Sequence, residues 1–493
     1  MMKIIVGLAS LLVIGAGIAA GQAQPAADLN AKIADYVRQH QEEVLSEFKQ
    51  FLSIPNIAGD SANIQRNAEA LKQMLQKRGL KAELLEFENA SPVVIAEMPM
   101  RSGRHTVTFY AHYDGQPVQR ADWKQDPWQP TSVGDRIYAR SASDDKAAII
   151  GLLTALDALR ADQVQPSINV KFFFEGEEEA GSPHLEQILS RYAPRLKSDL
   201  WVICDGPIYQ NGQPVVVFGS RGVVSAQVTT FGPNRPLHSG HYGNWAPNPI
   251  SELVTLLARM RTPDGNITIP GFYSSVRPLS ETEKNALKKL PDLDAQLKKE
   301  FQLDRSEGEG SLPEEIMKPA LNLDRIEGGG TGPHPANAVP ASATAYLDFR
   351  LVPDQTPEMV KKKVEDYLSQ VGYFLVRQPP SAQERLQHAH VLQVTWGAGY
   401  PPQRTALDAP VSQAFMAAAK TATGDSLLAM PTLGGSTPSF LFEKLFHAPV
   451  ILLPIANFDN NQHAANENIR LENLWQGIRT YAAIFLELGN KWR

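Results

Sequence analysis

Five stretches of this chain carry side chains that could do chemistry together. "VTFYAHYDG" delivers His112 and Asp114 at the end of an apolar run, and "SASDDKAA" sets Asp144 and Asp145 just before a helical pattern. "VKFFFEGEEEAGS" runs from three phenylalanines into Glu175, Glu177, Glu178 and Glu179. "LWVICDG" ends at Asp205, and "VILLPIANFDNNQHAANE" leads into a loop holding His463. Taken singly, each has a bland explanation: a surface His-x-Asp pair, a solvated acidic helix start, an Asp-Gly-Pro turn. Together they put a carboxylate or an imidazole at the end of one apolar run after another. In open α/β sheets the carboxyl ends of the strands form the ligand crevice. A crevice gathering these carboxylates would hold more negative charge than a protein leaves uncompensated, and divalent cations resolve that. Imidazole with carboxylates is the ligand set of hydrolytic zinc, and several carboxylates suggest two metals sharing one bridging group. His112 and Asp114 are two apart, so on an extended strand they point the same way. Asp114 can then hold the ring nitrogen turned away from a metal.

The elements that must position these groups follow from periodicity. "VVIAEM", "HTVTFYAH", "INVKFFFE" and "DLWVICD" are short, β-rich and nearly continuous in apolar character, as expected of strands covered on both faces. "DKAAIIGLLTALDALRA" is the clearest helix between them. Further helices are predicted from Leu29 to Phe51, from Ser61 as N-cap to Gly79, and over "SQAFMAAAKTAT". This pattern predicts an α/β fold with a mostly parallel central sheet and helices on both faces. From about Val217 the style changes to alternating strands, "GVVSAQVTTFG" and "ASATAYLDFRLVP", with amphipathic helices and a Lys/Glu-rich surface helix from Glu281 to Phe301. The simplest organisation is a catalytic α/β domain over 24–217 and 398–493, interrupted by an inserted α+β domain over 218–397.

At 493 residues the chain is long enough for two or three domains. A net charge of -6 without a basic stripe argues against a nucleic-acid partner. The opening "MMKIIVGLASLLVIGAGIAAGQAQP" has Lys3, an apolar run from Ile4 to Ala20, and small residues at Gly21 and Ala23. It predicts a signal peptide over 1–23 and a secreted or periplasmic protein with no stable membrane insertion after cleavage; a retained anchor is the alternative. The single cysteine, Cys204, cannot form an intramolecular disulfide and reads as a buried strand residue.

"AHYDGQP", "SDDK", "EGEEEAGS", "CDGP" and "NNQHAANE" fall in the order and spacing of the dizinc peptidases. From about residue 30 to its end the chain resembles that family of carnosinase-like dipeptidases, glutamate carboxypeptidases and aminoacylases. The resemblance implies two Zn2+ per subunit, with cobalt or manganese left open by the ligand types. It implies Asp144 as the bridging carboxylate, His112 and Asp205 as the other ligands of one ion, and Glu179 and His463 of the second. Glu178 is similar to the general base, and Asp114 resembles the carboxylate that orients the histidine. "PLHSGHYGN" resembles the lid loop whose histidine reaches the neighbouring subunit, which implies His238 as oxyanion stabiliser and a homodimer through the lid. "LDFRLVP" and "LGGSTPS" imply that Arg350, Gly434, Gly435 and Ser436 hold the substrate's terminal carboxylate. The implied activity is hydrolysis of dipeptides or short peptides with a free C-terminal carboxylate. N-acyl-amino-acid deacylation with the same metals is one alternative, and a non-catalytic peptide-binding relative is another.

Two departures from the family pattern stand out. Ala139, Ser141 and Ala147 lie where relatives commonly have glycines. Thr432 and Leu433 replace the Arg-Glu that precedes Gly-Gly-Ser in carnosinase-type dipeptidases, which bears on dipeptidase specificity. His388 and His390 in "QHAHVLQV" are expected on one face of a strand at a solvated edge.

Overall fold

The three consecutive phenylalanines show how the core is built. In the computed structural model, which describes residues 26–329 and 337–492, they lie in the strand Asn169–Glu175. Alternation sends Phe172 and Phe174 into one hydrophobic cluster and Phe173 into another, so both faces of the strand are buried. The expected signal segment, 1–23, lies outside the described residues.

That strand belongs to an eight-stranded sheet. The order is Lys81–Leu85, Val93–Glu97, Asn169–Glu175, Thr106–His112, Leu200–Ile203, Val450–Leu452, Val215–Val217, Leu428–Met430. The centre is parallel: Thr106–His112 runs with Asn169–Glu175 and Leu200–Ile203, and Leu200–Ile203 with Val450–Leu452. The outer strands Lys81–Leu85 and Val93–Glu97 pair antiparallel, which makes the sheet mixed at its edge. Helices Ala26–Gln39, Gln41–Leu52, Ser61–Lys77, Lys146–Ala161, Pro410–Thr423 and Leu471–Lys491 cover one face. On the other face Leu185–Arg191 and Phe440–Phe446 pack over Tyr110, Phe173 and Trp201, with Trp201 stacked on Phe442 at 4.3 Å.

A second, five-stranded sheet has the order Ala320–Gly328, Ser342–Leu351, Gly222–Phe231, Val391–Tyr400, Phe374–Val376. Helices Pro249–Met260 and Pro357–Gln370 bury one face of it. Burial alternates along Ser342–Leu351, leaving Tyr346, Asp348 and Arg350 on the less covered face. Tyr400 of this sheet donates its hydroxyl to the Gly181 carbonyl at 2.9 Å, which ties it to the loop after the glutamate run.

Local differences from the sequence reading have local causes. The helix expected over Leu29 to Phe51 is two helices parted at His40, whose φ of -111° and ψ of 15° leave the helical region. Asp60, not Ser61, caps the next helix by accepting the Asn63 N–H at 3.1 Å. The Lys/Glu-rich segment forms two short helices, Glu281–Leu287 and Asp294–Glu300, with Pro291 between them. Leu287 and Leu290 bury against the eight-stranded sheet's core, so this segment is not simply surface. His388 and His390 precede the strand Val391–Tyr400: His388 stacks on Phe374 at 3.7 Å, and His390 meets Glu252 at 2.7 Å. Among the described residues no helix is long and apolar enough to cross a membrane.

Candidate metal centre

The polar ends of the parallel strands converge. His112 closes Thr106–His112, Asp205 lies just past Leu200–Ile203, and Glu178 and Glu179 open the 3-10 turn Glu178–Ala180 after Asn169–Glu175. Asp144 precedes the helix Lys146–Ala161, and His463 sits on the loop after Val450–Leu452. Ligand atoms of His112, Asp144 and Asp205 lie within 4.8 Å of one another, and so do those of Asp144, Glu179 and His463. Asp144 belongs to both groups, its two oxygens dividing between them. Oδ1 is 2.9 Å from His112 Nε2, and Oδ2 is 3.2 Å from His463 Nε2, which also stands 3.3 Å from Glu179 Oε2.

The electrostatics of this cluster fit cations. Asp205 Oδ1 is buried with no hydrogen-bond donor among the described residues, and Asp144 Oδ2 meets only the His463 ring, a costly state unless positive charge meets them. Burial, reinforced by Asp144, pushes the Asp205 carboxyl up to about 7. Burial likewise raises Glu178 well above the usual range, and the carboxylates of Asp205, Asp144 and Glu179 add to it against the pull of His112. His463 is raised to about 10 by its contacts with Asp144 and Glu179. For Asp144, hydrogen bonds from His112 and His463 outweigh burial and hold its carboxyl below the ordinary value. Two imidazoles and three carboxylates in two groups sharing one member suit two divalent ions.

The four glutamates of the opening run take separate positions. Glu178 and Glu179 face the cluster, and Gln116 donates to Glu179 Oε2 at 2.8 Å. Glu175 is buried at the strand end, accepts the Tyr110 hydroxyl at 2.7 Å, and is pushed up to about 7 by burial. Glu177 accepts the His184 N–H and meets the His184 ring Nδ1, each at 3.0 Å, which latches the following loop. The glycine between Glu175 and Glu177 is required by space, since a Cβ on Gly176 would run into the Tyr113 ring. Asp114 does more than face His112, whose Nδ1 is 3.3 Å from its Oδ1. Its carboxylate also accepts the N–H groups of Glu178 at 3.2 Å and Glu179 at 2.9 Å, so one side chain aligns the ring and pins the turn.

Sequence reasoning missed Glu467, although it is the last residue of the "NNQHAANE" stretch. Fully buried, it accepts the backbone N–H groups of Ser141, Ser143 and Asp144 at 2.9, 2.9 and 3.0 Å, and pairs with Arg140 at 2.7 Å. It thereby shapes the loop that presents Asp144. Ser141 has φ of 62°, a left-handed position that glycine occupies freely. The serine is held there by the Glu467 contact and by Asn56 donating to its Oγ at 2.8 Å. Lys146 was missed too: entirely buried, its ammonium donates to the Phe51 and Ile54 carbonyls and to Asn67 Oδ1, anchoring the N-terminal helices beside the loop.

Arg350 and the Gly434–Ser436 loop come together, with Arg350 Nη1 donating to Ser436 Oγ at 3.1 Å and Nε to Asp348 at 2.8 Å. His238 does not join the metal-ligand groups of this chain. It lies exposed in a two-residue strand, Leu237–His238, where its ring accepts the Gly240 N–H at 3.1 Å and stands 4.5 Å from the His241 ring.

The description of peptidase family M20/M25/M40 matches residues 108–487. The chain is 28% identical to the human Beta-Ala-His dipeptidase over 513 residues, covering 97% of this chain and 96% of that protein. It is 26% identical over 482 residues to the Cys-Gly metallodipeptidase of Schizosaccharomyces pombe, covering 93% and 98% of the two chains. The crystal structure of an M20 family metallo-carboxypeptidase from Sulfolobus solfataricus superposes with a TM-score of 0.78 at 29% identity, covering 91% of this chain and 99% of that one. The expectation of a secreted or periplasmic location is corrected: the Cys-Gly metallodipeptidases matched along the chain give it no support, and residues 1–23, on which it rested, lie outside the described residues.

Proposed function

This chain belongs to peptidase family M20/M25/M40 and is a metallohydrolase, and on that premise we propose that it is a zinc-dependent dipeptidase. Its substrates are dipeptides or short peptides with a free C-terminal carboxylate. One observation carries the reading: two ligand groups share Asp144, and Glu178 stands next to the ligand Glu179 without belonging to either group.

In this reading His112, Asp144 and Asp205 hold one ion, and Asp144, Glu179 and His463 the other. When bound, the pair of ions supplies Lewis acidity for the amide carbonyl and makes a water acidic enough to attack near neutral pH. Glu178 accepts the proton of the attacking water and delivers it to the leaving amine, a role suited to a carboxyl raised by burial. Asp114 fixes the His112 tautomer and the turn that carries Glu178. Arg350, with Ser436 against it, binds the substrate's terminal carboxylate, and the glycines at 434 and 435 let the substrate approach the backbone. Residues 218–397 serve as lid and dimerisation domain between 24–217 and 398–493. The exposed His238 is the oxyanion donor that this lid offers to the second subunit of a homodimer.

The test is a substrate panel on purified, zinc-loaded protein. Dipeptides with a free carboxylate are hydrolysed, and the same dipeptides as C-terminal amides are not. Cleavage of N-acetyl amino acids with dipeptides left intact would replace this reading with deacylation.

A further inference from the structure

Among the described residues, Arg221 is a buried cation with no ion pair and a single side-chain hydrogen bond. Arg140 pairs with Glu467 at 2.7 Å, Arg404 with Glu283 at 3.0 Å, and the Lys146 ammonium has its three oxygen acceptors. Arg221 is only 8% exposed, yet its Nε is buried without a partner and its Nη2 reaches only the Lys318 carbonyl, at 2.8 Å. Asp348 is the carboxylate near it and is already bonded to Arg350; burial, with Arg350 adding to it and Asp348 opposing, lowers the Arg221 guanidinium to about 10. A buried guanidinium that shares one carboxylate with a second guanidinium is poorly compensated, and a ligand's anionic group would complete it.

Its location says which ligand. The Arg221 N–H donates to the carbonyls of Leu433 at 3.3 Å and Gly435 at 3.1 Å, so the residue stands directly against the Gly434–Ser436 loop. Its side chain lines a cavity of about 420 Å³ walled by Leu297, Phe301, Leu303 and Ile316. Ile316 reaches the loop as well, because a Cβ on Gly434 would come within 3.3 Å of it. Carboxylates along the cavity wall are already engaged: Glu307 with Arg261 at 2.6 Å, Glu315 with Lys318 at 2.8 Å, Asp264 with Asn266 at 2.7 Å, and Asp294 with the Leu312 N–H at 3.1 Å. The lining thus offers apolar walls, the cations Lys298 and Arg305, and the Arg221 guanidinium without an ion pair beside the place where Arg350 and Ser436 meet.

We propose that Arg221 and this cavity receive the side chain of the substrate's C-terminal residue and select an acidic one. The inference rests on the dipeptidase reading, with Arg350 holding the main-chain carboxylate. The side chain leaving the same Cα then runs toward Arg221, its methylenes against the apolar walls and its carboxylate against the guanidinium.

The experiment compares Ala-Glu with Ala-Gln, which differ in charge but hardly in shape, on the zinc-loaded wild type, Arg221→Met and Arg221→Lys. Wild type prefers Ala-Glu by about tenfold or more in kcat/KM, as expected for a charge-assisted hydrogen bond. The preference collapses in Arg221→Met through a higher KM for Ala-Glu, and Arg221→Lys recovers part of it. Equal kcat/KM values in wild type, or a preference that survives in Arg221→Met, overturns the proposal. Failure of the dipeptidase reading looks different: neither these dipeptides nor Ala-Ala is cleaved. In that event, or if Arg221→Met does not fold, calorimetry on the wild type with free glutamate and free glutamine decides. Tighter glutamate binding supports the acidic pocket, and equal binding rejects it.

Discussion

At the parallel strand ends of the eight-stranded sheet, the carboxylates of Asp144, Asp205, Glu178 and Glu179 outnumber the imidazoles of His112 and His463. At the five-stranded sheet the imbalance is reversed: among the described residues Arg350 and Arg221, the latter just before the strand Gly222–Phe231, share Asp348. The first region lacks positive charge and the second lacks negative charge. Tyr400 joins them by bonding to Gly181, two residues past Glu179. A molecule with an amide at one end and a free carboxylate at the other would answer both needs, provided the first region also takes its cations. In the proposed reading, reaction and recognition are divided between two sheets, each electrostatically incomplete without its ligand.

The division can be broken one side at a time. The largest effect is expected in Glu178→Gln, which leaves both ligand groups intact. Turnover falls by about a thousandfold, while metal analysis still finds two ions per chain. Near-normal turnover would remove Glu178 from its role. Arg350→Met should act on the other side, lowering kcat/KM for dipeptides by about a hundredfold through KM, with metal content unchanged. A loss confined to kcat would place Arg350 in the chemistry and blur the distinction between the regions.

Glu467→Gln sharpens the first region alone. The amide cannot accept every bond that the carboxylate makes to Ser141, Ser143, Asp144 and Arg140, so Asp144 is held less firmly. Metal affinity should drop about 10- to 100-fold in a chelator competition, with circular dichroism unchanged. Wild-type affinity in this variant would show that the loop holds Asp144 without help.

The smallest effect concerns the base of the His463 loop. Burial alone would raise Asp459, but hydrogen bonds from Arg470, Arg136 and Asn457 outweigh it and hold its carboxyl well below the usual range. A depressed carboxyl contributes stability that is present above its unfolded value and lost as pH falls through the folded one. The wild type should therefore lose stability as pH drops below about 4. Asp459→Asn should show a slightly shallower loss, read from urea midpoints across that range. The difference is small because this side chain is a third exposed and screened.

How much was legible in the chain depended on what each residue's role requires. Phe172 to Phe174 and the runs before His112 and Asp205 announce buried strands by composition, because strands covered on both faces need little polarity. The acidic and imidazole residues after them announce a cation site for the same reason in reverse. His238 lies in a stretch that resembles the family's lid loop, but within one chain it stays apart from the metal-ligand groups among the described residues. Glu467 was hidden because its partners, Arg140 to Asp144, lie more than 320 residues away along the chain. Arg221 was hidden because an arginine in "GSRGVV" looks ordinary until its burial and missing partner are known.

The sequence by itself determined which chemistry is available and the order in which it is presented, since ligand types, strand periodicity and family motifs are properties of the linear chain. Only the tertiary structure decided that Asp144 stands between two ligand groups, that Glu467 shapes its loop, and that Arg221 is buried beside Arg350 without an ion pair of its own. Those facts are separations of a few ångströms between loops distant in sequence. They are set by how the two sheets and their helices pack, and residue order alone does not encode that packing locally.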